Sequence, residues 1–185
     1  MGSSLSRKEP VMSTSGIEFS TLTLRDGLDL AILIDEEAGE RYEELADQME
    51  VHHTPQAASF FHRMSSEEAK RGSQLRERRG RLFADSPPTV SRSMLWDVKA
   101  PGYDQVHVFM TLREAMQTAL GAEEKAEAFF EAALPQIRDD EARTLFEGLR
   151  DEETRFHAQV ERDLAELPSE YEVSPEDFAD EPVAH

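Results

Sequence analysis

Four segments of this sequence repeat apolar residues at alternating steps of three and four, and this periodicity is the feature that most restricts the fold. Such spacing places the apolar side chains along one stripe of an α-helix. With the flanking caps and prolines, it predicts helices over residues 23–50, 55–83, 111–136 and 140–167. No strand-like alternation of useful length occurs, so we expect an all-α protein.

The boundaries of these segments indicate how the helices are connected. Thr23 and Thr111 each stand three residues before an acid and predict capping boxes, and Pro55 after Thr54 predicts the start of the second helix. Two short turns alternate with one long connection over about 85–109. We therefore expect a four-helix bundle of two helical hairpins joined by a long crossover connection. The bundle would span 21–168, between a flexible N-terminal tail (1–20) and an acidic C-terminal tail (169–185).

Composition excludes several classes of function. The 39 acidic residues exceed the 20 lysines and arginines, and the net charge of −19 repels nucleic acid. The sequence has no Cys, which excludes disulfides, thiolate metal sites and a cysteine nucleophile. The apolar runs are too short to cross a bilayer, and the first residues lack the apolar core of a signal peptide. We expect a cytoplasmic protein with no nucleic-acid or membrane partner.

One carboxylate interrupts the middle of each apolar stripe. The four are Asp35, Glu68, Glu123 and Glu153. The two halves of the chain also resemble each other, and aligning Thr23 with Thr111 pairs the first acid with the third. Within each hairpin the two acids lie equally far from the turn. If the hairpins pack antiparallel, the four carboxylates converge on one layer of the core.

Buried carboxylates repel one another and lose their hydration, so such a layer requires protons or a cation. Iron or manganese ions satisfy this need, because hard oxygen ligands suit both metals. The alternative is that some of the four acids lie at the edge of the bundle and are solvated.

The sequence resembles the rubrerythrin branch of the ferritin-like superfamily over roughly residues 22–167. The resemblance is carried by the stretches 35–46 and 123–130, and in outline by 67–71 and 152–157. The resemblance implies a carboxylate site for one or two non-haem iron ions, and manganese is a further option for the metal. It also implies that the protein is an iron-dependent oxidase or peroxidase, which oxidises iron or consumes oxygen or peroxide. The implied metal ligands are Asp35, Glu68, Glu123 and Glu153. A homodimer is also expected. Because the Cys-dependent rubredoxin domain is missing, a redox cycle requires an external electron donor.

Two positions depart from the family pattern of one Glu from each of two helices and a Glu-x-x-His from each of the others. Arg71 and Phe156 stand where the family has its histidines, and neither can replace imidazole. His157, one residue further on, is then the expected nitrogen ligand. Arg71 also supports a competing hypothesis, in which it neutralises the core carboxylates of a metal-depleted scaffold or partner-binding module.

Overall fold

A computed structural model describes residues 17–95, 98–99, 101 and 109–168. Its four long helices are α1 (Leu24–Val51), α2 (Pro55–Phe83), α3 (Leu112–Ala133) and α4 (Asp140–Glu166). Short 3₁₀ turns occupy Phe19–Thr21, Arg92–Met94 and Leu134–Gln136. No strand occurs in these ranges. The all-α prediction and the four predicted helices are confirmed, and the last turn predicted for the third helix is 3₁₀ rather than α.

Local side-chain hydrogen bonds fix where the helices begin. Thr23 accepts from the backbone N–H of Asp26, whose carboxylate accepts from the backbone N–H of Thr23, and Thr111 and Glu114 repeat this arrangement at α3. Both predicted capping boxes are therefore present. Thr54 is different, because its hydroxyl donates to the carbonyl of Met49 and makes no cap bond to α2.

Two apolar clusters fill the bundle, one at each end. The first joins the N-terminal halves of α1 and α4 to the C-terminal half of α3, and the second joins the opposite halves of these helices to the start of α2. α1 is therefore antiparallel to α2, α3 is antiparallel to α4, and the connection between α2 and α3 crosses the length of the bundle. Its described part places Val90, Leu95 and Val98 in the first cluster and Met110 in the second.

The connection is attached to α1 near its start. Arg79 of α2 donates to Asp29 at 2.8 Å and to the carbonyls of Ala84 and Ser86 at 3.0 and 2.6 Å. The backbone N–H of Thr89 also donates to Asp29, at 3.0 Å. Asp29 is buried, so these bonds satisfy a carboxylate that would otherwise be costly to bury.

The sequence places Phe19 in a flexible tail, whereas the structure buries it in the first cluster. Its ring makes edge contacts with Phe129 and Phe146, at centroid distances of 5.9 and 6.5 Å. Apolar burial explains the difference, since this ring covers the end of the core. The remainder of the proposed N-terminal tail, 1–16, and the proposed C-terminal tail, 169–185, lie outside the described residues. Within the part of the chain that is described, no helix is apolar over a length that would span a bilayer.

Candidate functional site

A charged layer separates the two apolar clusters. Each helix contributes one buried carboxylate to it, and the exposed fractions of the residues are 6% for Asp35, 1% for Glu68, 0% for Glu123 and 3% for Glu153. Every one of them lies between a segment that packs in the first cluster and a segment that packs in the second. The structure thus brings together the four acids that the sequence places at matching heights. We call this set, with the cations that contact it, the carboxylate centre.

Glycines allow α1 and α2 to approach closely at the carboxylate centre. A β-carbon built at Gly39 would lie 3.4 Å from Cβ of Glu68, and one built at Gly72 would lie 3.6 Å from Cβ of Asp35. Each glycine therefore faces the acid of the partner helix. The close approach accommodates the aspartate side chain, which is one methylene shorter than the glutamates of the other three helices.

Lys99, from the crossover connection, enters the middle of the carboxylate centre. Its Nζ lies 3.0 Å from Glu68 Oε1, 3.4 Å from Glu123 Oε2 and 2.8 Å from Glu153 Oε2. The lysine is fully buried. Sequence reasoning missed this residue because the connection has no helical period. The available signal was a lysine next to Val98 in an apolar stretch, close to a set of acids that needed a cation.

Arg71 supplies a second cation to the same layer. It forms an ion pair with Glu68, and its Nη1 lies 3.7 Å from Glu153 Oε1. Its side chain is 19% exposed, on the side of a groove between α2 and α4 that Phe156 also lines. At the two positions that hold histidine in the family pattern, Arg71 therefore forms an ion pair and Phe156 lines a groove.

His157 does not reach the layer in this structure, which corrects the expectation that it would. Its Nε2 lies 3.4 Å from Glu124 and its Nδ1 lies 3.7 Å from Glu161, and both of these carboxylates are more than half exposed. A residue four positions beyond Glu153 is rotated by only ~40° around α4, and the contacts with Glu124 and Glu161 hold the imidazole on the outer side of that helix.

Burial and neighbouring charges shift the pKa values of the acids in the carboxylate centre in different directions. Burial and the neighbouring Glu68 raise the pKa of Asp35 to about 7, although Lys99 and Arg71 oppose them. Burial also raises the pKa of Glu123, and the neighbouring Glu153 adds to this effect, although Lys99 opposes it.

Glu153 shows the opposite effect. Its burial favours the neutral form, but Lys99, the adjacent Glu123 and Arg71 together lower its pKa to about 2. Glu68, Glu153 and Glu123 outweigh the desolvation of Lys99 and raise its pKa. The centre therefore holds two cations, Lys99 and Arg71, around an ionised Glu153, while Glu123 retains its proton.

Some polar atoms of the centre have no hydrogen-bond partner in the part of the chain that is described. They are Asp35 Oδ2, Glu68 Oε2, both carboxylate oxygens of Glu123, Glu153 Oε2, Arg71 Nε and the hydroxyl of Tyr42. Of these, Glu123 Oε2 and Glu153 Oε2 make ionic contacts with the Lys99 ammonium, at 3.4 and 2.8 Å. Burial and the nearby Glu123 raise the pKa of this tyrosine, so it stays protonated.

The residues of the centre do not fit the dinuclear metal site of the family as they are arranged. The site lacks the two imidazoles, and the lysine ammonium stands among the carboxylates at 2.8–3.4 Å, whereas hard divalent ions hold oxygen at about 2.0–2.6 Å. Over the described ranges, no group of three or more His, Cys, Asp or Glu side chains has the geometry to hold a metal ion.

The crossover topology and the carboxylates in the core define a ferritin-like four-helix bundle. The family profile of rubrerythrin matches residues 26–165, and the chain belongs to the rubrerythrin family. This assignment confirms the resemblance seen in the sequence.

Solved structures agree with this class. An uncharacterized conserved protein from Magnetospirillum magnetotacticum superposes with a TM-score of 0.62 at 26% identity, over 80% of this chain and 97% of the other. The bacterioferritin of Rhodobacter capsulatus, described with a metal-free dinuclear site and haem iron, superposes with a TM-score of 0.52 at 18% identity, over 77% and 83% of the two chains. The bacterioferritin supports the fold alone. No curated protein matches the sequence.

Proposed function

We propose that this protein is a metal-independent member of the rubrerythrin family, a ferritin-like scaffold or partner-binding module rather than an oxidoreductase. One observation carries the proposal. The ammonium of Lys99 contacts three of the four core carboxylates, in the space where a metal ion would have to bind them.

Charge balance supports this proposal. A metal-binding centre of four carboxylates needs positive charge from its ions, and here Lys99 and Arg71 supply it from the chain itself. Both are held charged by their surroundings, since the adjacent carboxylates raise the pKa of each. The net charge of −19 favours partners with basic surfaces.

Metal analysis tests the proposal directly. The full chain is produced in iron- and manganese-supplemented medium, purified without chelator, and assayed for bound metal and for oxygen-dependent Fe²⁺ oxidation. We expect far less than one metal ion per chain, no oxidation above the uncatalysed rate, and no change in melting temperature with chelator. One or two ions per chain with catalysed iron oxidation would refute the proposal.

A second candidate is a rubrerythrin-type iron centre that oxidises iron or consumes oxygen or peroxide. The buried oxygens of Asp35 and Glu68 that lack hydrogen-bond partners favour it, since unpaired buried oxygens suit a hard cation. Asp35, Glu68, Glu123, Glu153 and His157 would be its ligands. Lys99 would have to leave the centre and His157 would have to turn inward. An external electron donor would be needed, and the expected homodimer belongs to this candidate. Iron bound by the parent and lost in His157→Ala would support it.

A further inference from the structure

We propose that Lys99 is a tethered counterion with two roles: it excludes hard divalent cations from the carboxylate centre, and it fastens the crossover connection to the bundle. The inference rests on the proposed function, because it explains how a chain of this family holds its carboxylates without metal. It also goes further, since it predicts that the centre retains a cation site that one side chain closes.

The first role follows from the position of the ammonium group. Its three carboxylate contacts come from α2, α3 and α4, so a single atom of the connection joins three helices. A divalent ion cannot share this position, because the ion and the ammonium would repel each other at contact distance.

The second role follows from how the connection is attached. Near α2 it is held by the bonds of Arg79 and Thr89, and Leu95 and Val98 then pack in the first apolar cluster. Lys99 comes directly after these residues and makes the ionic contacts at the centre of the bundle. Its replacement by an uncharged side chain removes every ionic contact at that point while leaving the apolar contacts before it.

Removal of the ammonium would leave an opening suited to a hard cation. Glu68, Glu123 and Glu153 would keep their oxygens directed at one point, about 3 Å away, with Arg71 as the remaining cation. The carboxylates need to close by at most about 1.4 Å to reach the 2.0–2.6 Å of a hard divalent ion. Carboxylate oxygens suit Mg²⁺, Ca²⁺ and Mn²⁺, and Mn²⁺ is the probe used here.

The decisive experiment compares Lys99→Met with the parent and with Lys70→Met, in full-length chains freed of metal and titrated with Mn²⁺ by calorimetry. Methionine keeps an unbranched side chain, one atom shorter than lysine, and removes its charge. Lys70 is exposed on α2 and serves as the matched control. We expect Lys99→Met to bind one Mn²⁺ at least tenfold more tightly than the parent, with release of protons, and Lys70→Met to behave as the parent does. Hydrogen exchange should become faster over residues 90–99 of the metal-free Lys99→Met protein only.

Two results would overturn the inference. One is a folded Lys99→Met protein that binds no Mn²⁺, and the other is a parent that binds Mn²⁺ as tightly as the variant. The first result overturns the inference alone, because the parent can still be free of metal. A parent that binds Mn²⁺ or iron refutes the proposed function as well, so the two failures are distinguishable.

Amine labelling of the parent provides a measurement that does not depend on the folding of the variant. Lys99 should react at least a hundredfold more slowly than Lys70 with an acylating reagent, because it is fully buried. Equal labelling would show that the ammonium does not reside in the centre and would also overturn the inference.

Discussion

Gly27 of α1 packs directly against Leu145 of α4. A β-carbon built at this glycine would lie 3.2 Å from Leu145 Cδ2 and 3.3 Å from a ring carbon of Phe146. Both neighbours belong to the first apolar cluster and are fixed by its packing. The glycine is therefore required by the close contact of two helices rather than by backbone conformation.

Gly27→Ala should destabilise the protein by about 1–3 kcal/mol, because overpacking a filled core forces side chains out of their preferred rotamers. The exposed Gly148 on α4 has open space around the same atom and is the matched control. Gly148→Ala should stabilise by about 0.5–1 kcal/mol, since alanine favours a helix over glycine by this amount. Urea denaturation of both variants measures the two changes, and a stabilised Gly27→Ala protein would contradict the packing described.

Ala84, at the end of α2, has φ 46° and ψ −134°, a backbone conformation that favours glycine. Ala84→Gly should therefore stabilise the protein by about 1 kcal/mol. The same substitution at the exposed Ala69 in the middle of α2 should cost about 1 kcal/mol, since it places a glycine inside a helix. Opposite shifts in thermal denaturation are the expected result, and two losses of similar size would contradict it.

Arg79 should contribute far more to stability than Arg81, although both lie in the last turns of α2. The first pairs with the buried Asp29, whereas the second is 71% exposed beside Glu77. Arg79→Met leaves a buried carboxylate without its ionic partner and should cost about 3–5 kcal/mol. Arg81→Met should change the free energy of unfolding by less than about 1 kcal/mol. Chemical denaturation of the two variants tests this difference, and equal effects would show that the pair with Asp29 is not buried in solution.

Asp35 should make a contribution to the stability of the protein that falls as pH rises from about 4 to 7. Its pKa in the folded state is about 7, above the unfolded value of 3.8, so the folded chain binds more protons in this window. The contribution of Asp35 to the unfolding free energy then decreases with pH, by up to about 1.4 kcal/mol per unit, and levels off above pH 7.

Asp35→Asn removes this titration. Its unfolding free energy minus that of the parent should increase from pH 4 to 7 and then stay constant. Denaturation across this range measures the difference, and Asp47→Asn controls for loss of an exposed carboxylate. A difference that does not vary with pH would show that Asp35 is not buried among these charges.

The helices and the positions of the four core acids could be predicted from the sequence because both depend on the helical period. The three–four spacing fixed which face of α1 carries Asp35, and the repeat placed Glu123 at the same height. The position of Lys99 in the centre could not be predicted this way, because an irregular connection has no sequence period from which the direction of a side chain follows. His157 is rotated by ~40° from Glu153 around α4. This angle is small, so contacts with neighbouring surface acids decide whether the imidazole faces the centre or the surface.

The position of the carboxylate centre between two apolar clusters has a consequence for helix alignment. Apolar clusters alone tolerate a helix that slides along its neighbours, since one aliphatic contact replaces another. Sliding α4 by one turn, about 5.4 Å, would move Glu153 away from Lys99 and into apolar surroundings, where an unpaired charge is very costly. The ionic contacts therefore fix the axial register of the helices, because any other register would bury unpaired charges.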